Sequence, residues 1–481
     1  MRIALLHYHL IRGGVSSVIR QQARSLVEAG EEVLVIAGEA VDVADAPVSD
    51  FGGAPLVLIP DLRYDSRRGN AGSSDRKSRA DGGEELADAI QSAMEKRWGS
   101  MPDVLHIHNP LIRKNTLLMT AIRLLRGRGV KLLLQNHDFA EDFRSDVYHG
   151  EEGYPDDCHY AALNGRDFSF LKRAGLNVEG AHLLPNAVVP MTATPGLERT
   201  RYLYPVRAIR RKNLGEALLL SLFIPAGRTI AVTLPPNAAR DEEPYLRWLQ
   251  LAKRLGLPVE FGVGERESLP DLLGSSICAV STSVKEGFGF SYLEPWTAGR
   301  AVIGRRLGYV CSDFEREGVR FEDSYESIDV PLAYLPAPLL RRKLEQALVD
   351  AYRSFGMTAP SYTLKMLTDD LFSRDVFDFG RLDEELQADI IETVALNDAA
   401  REDIVEANPF LGMLSYWVPN EPLIEKNRQR ILASYSEEAS LARLRDTYRK
   451  VSENPVRHHL SKSILLELFL DPLRLSLVGS S

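Results

Sequence analysis

Short apolar segments and helix-length amphipathic segments alternate along this chain in two successive series, and no other feature constrains the fold as tightly. In the first series Arg2 to His9, Glu32 to Ala37, Val104 to His108 and Lys131 to Asn136 read as strands, while Val15 to Ala29 and Asn115 to Arg126 read as helices. Near-continuous apolar strands separated by crossover-length helices form parallel sheets covered on both faces. A second series begins near Tyr204: Thr229 to Pro236, PVEFGV, SSICAVST and Ala301 to Arg305 are strand candidates, and the stretch through Leu255 reads as helix. From about Arg341 the pattern turns predominantly helical. The predicted class is thus α/β, two Rossmann-like domains facing across a cleft with a helical carboxyl-terminal region. The predicted boundaries are 1–195, 196–430 with a helical extension, and 431–481 as terminal helices bracing the two domains.

The 481 residues are enough for two such cores, and 44% hydrophobic with 26% charged residues is a globular rather than a disordered composition. A net charge of -9 argues against nucleic acid as a partner. Cys158, Cys278 and Cys311 are odd in number and lack motif spacing, which predicts neither a disulfide framework nor a zinc site and suits a cytoplasmic location. The start, MRIALLHYHLIRGG, reads as a buried strand rather than a signal peptide, and no apolar run is long enough to span a bilayer as a helix. SKSILLELFLDPLRLSLVGSS near the end is predicted to pack on the protein body, with a peripheral membrane contact or a partner interface as the other readings. RYDSRRGNAGSSDRKSRADGG, residues 63 to 83, reads as a solvated, locally positive insertion able to attract an anionic acceptor.

The chemistry is concentrated in two stretches. KEGFGFSYLEPWTAGRAVIG, Lys285 to Gly304, follows the strand SSICAVST, which places Glu286 at a strand's carboxyl end, Gly287 and Gly289 in a tight turn and Ser291 at the start of a helix. That edge of an open α/β sheet is where ligands bind, and amides of Gly287 to Ser291 would face an anion there. PVRAIRRKNLGEALLL, Pro205 to Leu220, sets Arg207, Arg210, Arg211 and Lys212 where the second series begins. Guanidinium and ammonium groups suit phosphate oxygens. HYH (His7 to His9) and HIHN (His106 to Asn109) have alternating histidines, but no third ligand at a metal-typical spacing accompanies them, so no metal site is predicted. Trp296 reads as a packing residue.

These landmarks resemble the retaining glycosyltransferases of the GT-B fold, and within them family 4 of nucleotide-sugar-dependent enzymes. The match rests on EGFGFSYLE (Glu286 to Glu294), RAIRRK (Arg207 to Lys212), the Gly13-Gly14 turn before a helix, His137 in LLLQNHDFAEDFR and the segment NRQRILASYS, spanning roughly residues 2 to 440. The resemblance makes 1–195 the acceptor-side domain and 196–430 the nucleotide-sugar domain. It implies that Glu294 holds the donor ribose, that Glu286 approaches the transferred sugar, and that Gly287, Phe288 and Gly289 offer backbone groups to sugar or diphosphate. Arg207 and Lys212 would stabilise the departing nucleoside diphosphate. His137 would lie near the reacting sugar and acceptor, and Gly13 and Gly14 on the binding side. The implied activity is transfer of a hexose, from UDP-glucose or GDP-mannose, to a hydroxyl of a small sugar, sugar acid or glycan, without cofactor or essential metal.

Other classes compete. A GT-B phosphorylase would share the fold, although no lysine-centred pyridoxal phosphate signature accompanies it. A noncatalytic sugar-nucleotide-binding protein would keep the donor grip without turnover, and a purely structural protein would leave the ordered polar landmarks unexplained. The sequence after AVIGRRLGYVCSD lacks the paired glycines of the family pattern, which leaves the role of Gly308 and Tyr309 open. Residues 357–417 have no assigned role and could cap the second domain or form a homo-oligomer surface.

Overall fold

The computed structural model describes residues 1–11, 13–40, 50–67, 76–150, 152–371 and 373–478. The chain forms two compact units, Met1–Ala187 with Tyr435–Leu470, and Val188–Ser434 with Asp471–Ser481. The sequence placed the division at 195/196 and set 431–481 apart; instead the main division falls at 187/188 and the terminal segment is shared between the units.

The first unit is built on a seven-stranded parallel sheet of β1 (Arg2–His7), β2 (Glu32–Ala37), β3 (Leu56–Leu58), β4 (Val104–His108), β5 (Leu132–Asn136), β6 (His159–Ala162) and β7 (Ala181–Leu183), in the order β3-β2-β1-β4-β5-β6-β7. Successive residues of a strand point to opposite faces, so an unbroken apolar strand must feed two cores. It does: Ala4, Leu6, Leu105 and Ile107 enter one buried cluster, and Ile3, Leu5, Val104 and Leu133 the other. The late helix Glu437–Glu453 supplies Leu444, Tyr448 and Val451 to one face, and Lys462–Phe469 supplies Leu465 and Phe469 to the other. The apolar residues of SKSILLELFL are thereby largely core. The segment 63–83 is only partly an insertion: a 3-10 turn covers Asp65–Arg67 and the helix Arg76–Trp98 begins inside it, while 68–75 lie outside the described residues.

The second unit carries a parallel sheet of β8 (Arg201–Arg207), β9 (Thr229–Leu234), β10 (Val259–Phe261), β11 (Ser276–Ser281), β12 (Ala301–Arg305) and β13 (Ser324–Tyr325), in the order β10-β9-β8-β11-β12-β13. Region 341 onward is not wholly helical, because β15 (Val376–Asp378) pairs antiparallel with β14 (Asp329–Pro331). In both sheets the strand order reverses at one place, β1/β4 in the first and β8/β11 in the second, and loops leaving the carboxyl ends there flank a crevice suited to ligands. No described helix is long and apolar enough to cross a membrane. The three cysteines are buried and unpaired with one another.

Candidate functional site

The switch point of the second sheet brings together the two stretches singled out above. β8 ends at Arg207 and runs into the 3-10 turn Arg210–Lys212, while β11 ends at Ser281 and leads through the loop to Glu286. Because β8 and β11 are neighbours, residues 74 and 75 apart in sequence meet: Lys212 Nζ forms an ion pair with Glu286 Oε1, and Arg211 Nη1 lies 3.2 Å from Glu286 Oε2. Ser283 Oγ donates to Glu286 Oε1 at 2.7 Å. The Glu286 side chain is only 7% exposed and that of Lys212 12%. Burial would raise the Glu286 pKa, but the charges of Lys212 and Arg211, with hydrogen bonds from Lys212 and Ser283, outweigh it and hold the carboxyl below its ordinary range. Glu294 differs. Burial pushes its carboxyl up to about 7, with Lys212 opposing.

The backbone around these groups is fixed from several directions. Tyr309, in the first turn of the helix Gly308–Arg316, accepts from the Glu286 amide at 2.8 Å and donates to the Glu286 carbonyl at 2.9 Å. Gly289 sits in the left-handed region at φ 91, where a Cβ would come within 2.9 Å of Tyr292 Cδ2 and Val310 Cγ1, so glycine is required there on both counts. Phe288 is buried, its ring set edge-on to Phe290 at 5.0 Å and to Phe314 at 5.6 Å, and anchors the loop from below. Trp296 is likewise buried. A long helix from Ser291 does not form: the 3-10 turn Phe290–Tyr292 precedes a helix of four residues, Glu294–Thr297. Pro295 suits only the first turn, and Gly299 at φ 70 ends the segment. A four-residue helix has little dipole, so any anion held here meets side-chain cations and loop amides rather than a helix terminus.

Behind the basic turn, Thr282 Oγ1 lies 2.9 Å from the Lys212 carbonyl and 3.0 Å from that of Asn213. Asn213 takes the left-handed conformation at φ 55; its side chain accepts from Gln387 Nε2 at 2.8 Å and donates to Glu216 Oε2 at 2.8 Å. Arg305 then joins Glu216 to Asp378, at 2.7 Å to each. Residues 357–417 thus acquire a role through Asp378 and Gln387. Arg207, which the family resemblance pairs with Lys212 as a phosphate clamp, donates from Nη1 to the Pro235 carbonyl at 2.7 Å, and Arg211 lies beside Glu286. Arg211 lies within RAIRRK, but the hold of Tyr309 on Glu286 has no local signal in the sequence, since it depends on β12 returning beside β11.

In the first unit the remaining predicted residues lie on the loops that leave the carboxyl ends of β1 and β5. Gly13 precedes the helix Gly14–Glu28 and both glycines are exposed; a Cβ on Gly14 would meet nothing within 4 Å, and one on Gly13 only the Ile11 carbonyl at 3.9 Å. Packing within the unit therefore does not demand glycine at either position. His137 follows β5 and is buried, its amide and that of Asp138 both donating to Asn109 Oδ1 at 3.1 Å. Its Nε2 lies 3.0 Å from His108 Nδ1, and His7 Nδ1 lies 3.0 Å from the His108 carbonyl. Burial pushes His137 down to about 4 despite Asp138, and His7 and His106 down to about 3, so these imidazoles are neutral near pH 7. Among the described residues no group of three or more His, Cys, Asp or Glu side chains is arranged to hold a metal.

No family model matches the chain. It is 25% identical over 430 residues to mannosylglucosyl-3-phosphoglycerate synthase from Petrotoga mobilis, covering 82% of each. Among solved structures it is similar to a glycosyltransferase from Rickettsia africae (TM-score 0.54, 13% identity, covering 94% of this chain and 99% of that one). It is also similar to Anabaena HepE in complex with UDP and glucose (TM-score 0.52, 13% identity, covering 93% and 99%). With two parallel sheets each reversing order at a switch point, and a helical carboxyl-terminal region, this chain has the fold of the GT-B glycosyltransferases.

Proposed function

We propose that this protein is a retaining glycosyltransferase of the family 4 type, transferring a hexose from a nucleoside diphosphate sugar to a hydroxyl of a small sugar, sugar acid or glycan. The observation that carries the reading is the ionised Glu286 held under Lys212 and Arg211 at a sheet switch point, with Glu294 eight residues further on. In this reading Glu294 accepts hydrogen bonds from the donor ribose and Glu286 orients the transferred sugar. Gly287, Phe288 and Gly289 present main-chain groups to sugar or diphosphate. As the bond from the anomeric carbon to the diphosphate oxygen breaks, Arg207 and Lys212, with Arg211 beside them, stabilise the charge left on the diphosphate. The acceptor hydroxyl attacks from the face the diphosphate leaves, and its proton passes to the departing phosphate oxygen. His137, neutral and held by Asn109 and His108, acts as a hydrogen-bonding group toward hydroxyls rather than as a cation. Gly13 and Gly14 leave room for a ligand to approach the main chain.

The Petrotoga relative is named for making mannosylglucosyl-3-phosphoglycerate, which supports mannosyl transfer to a sugar-acid acceptor; the UDP and glucose in HepE support a UDP-glucose donor. The test crosses UDP-glucose and GDP-mannose with sugar, sugar-acid and phosphorylated sugar-acid acceptors and identifies both products. Acceptor-dependent release of nucleoside diphosphate with a retained linkage is expected, and an inverted linkage would reject the stereochemical reading. Phosphate-dependent release of sugar phosphate would indicate a phosphorylase, and binding without turnover a sugar-nucleotide sensor. Turnover is expected to persist in EDTA, because protein cations supply the charge.

A further inference from the structure

The carboxyl-terminal residues Asp471 to Val478 pack on the second unit in a way that the donor-site reading leaves unused. Ser476 Oγ donates to the Gly380 carbonyl at 3.0 Å, the Leu477 amide to the Arg381 carbonyl at 3.0 Å, and Arg381 Nε returns a bond to the Leu475 carbonyl at 2.9 Å. Leu475, Leu477 and Val478 are buried. These contacts hold the segment against the 3-10 turn Phe379–Arg381, whose preceding residue is the Asp378 that pairs with Arg305. Just before these anchors, Pro472 opens a short turn that carries Arg474 to Tyr309, with the guanidinium carbon 5.4 Å from the ring centroid. Tyr309 is the residue whose hydroxyl both accepts from the Glu286 amide and donates to its carbonyl. This hydroxyl can serve both backbone groups of one residue only while the ring is held in one plane, and a guanidinium over the ring face favours that placement.

We infer that the segment 471–478 is a strap of the donor site: Arg474 positions Tyr309, and Tyr309 in turn fixes the main chain that carries Glu286. Arg474 is a positioning residue and touches no reacting atom. The functional consequence rests on the donor-site reading of Glu286, but the mechanical link does not, and the two are separable by experiment.

Hydrogen–deuterium exchange of the peptide covering 283–290 is measured in the unliganded wild type and in Arg474→Ala, Arg474→Lys, Tyr309→Phe and the double variant Arg474→Ala/Tyr309→Phe, each checked for an unchanged melting profile. Arg474→Ala is expected to speed exchange in this peptide by about 3- to 30-fold, the range of a lost cation–aromatic contact at a partly buried site. Arg474→Lys restores most of the protection, and exchange in β8 is unaffected. Tyr309→Phe accelerates the same peptide, and the double variant exchanges no faster than Tyr309→Phe alone, because the arginine acts through the hydroxyl. Unchanged exchange in folded Arg474→Ala, or additive effects in the double variant, would overturn the strap. UDP titration and transfer assays on the same proteins read the site: a strap that loosens without change in kcat or KM for an active wild type removes its functional role. Absence of UDP binding in the wild type would instead count against the donor-site reading and leave the exchange result to decide the strap.

Discussion

At the scale of single residues, the pair Lys212–Glu286 ties stability to chemistry. Both side chains are largely buried, so removing one leaves the other without its main counter-charge, at a cost of about 3–5 kcal/mol. Lys212→Ala should therefore lower the melting temperature of the second unit as well as transfer, whereas Glu286→Gln should lose transfer with a smaller loss of stability. The double variant should be more stable than Lys212→Ala alone; thermal denaturation of the three proteins checks the order. From sequence, replacing Lys212 is expected to impair departure of the diphosphate more than folding, and the buried ion pair adds a stability cost to that expectation. Glu294 makes a separate prediction. Burial raises its carboxyl to about 7, so in the unliganded protein it takes up its negative charge only as pH rises through neutrality. If the carboxylate grips ribose, UDP affinity should increase between about pH 6 and 8, and Glu294→Gln should flatten that rise in calorimetric titrations. The sign for stability is opposite: with its folded pKa raised, the group's contribution is complete below the ordinary carboxylate range and is lost as pH rises through about 7.

At the scale of elements, the loop from Thr282 to Gly289 is held by neighbours rather than by its own secondary structure. Gly289 is its least replaceable joint. Gly289→Ala adds a Cβ in the left-handed region and two contacts at 2.9 Å, for an expected destabilisation of about 2–4 kcal/mol and loss of transfer. A variant with wild-type melting and turnover would contradict that account. The glycine, both glutamates and the basic turn were legible in the sequence because each is a local pattern: a turn residue, a spacing, a charge run. The length of the following helix was not legible. Pro295 and Gly299 bound it locally, but that a single turn remains between them is set by the chain having to reach β12 by Ala301. That Arg211 meets Glu286 was equally hidden, because the contact depends on β8 and β11 lying side by side.

At the scale of the whole molecule, the two parallel sheets and their main strands were legible from apolar runs, since a strand buried on both faces needs no partner to announce itself. β3, β13, β14 and β15 have two or three residues each, too few to carry a period, and escaped notice. The division of the terminal region was also illegible, because an amphipathic helix does not encode which of two cores will bury it. The core of the first unit includes Leu444, Tyr448 and Val451, and Tyr448 closes a 2.8 Å bond between its hydroxyl and His106 Nδ1. A fragment ending at residue 434 should consequently show a first unit with exposed apolar surface, detectable as dye binding and rapid proteolysis within residues 1–187. That same arrangement dictates an order of events at the ribosome. The strands of the first unit are made early, yet the helix that seals one of their faces follows only after residues 188–434 have been synthesised, a delay of roughly 12–50 s at 5–20 residues per second. During that interval the nascent chain carries an unsealed apolar face, which makes it a client for chaperones that hold growing polypeptides.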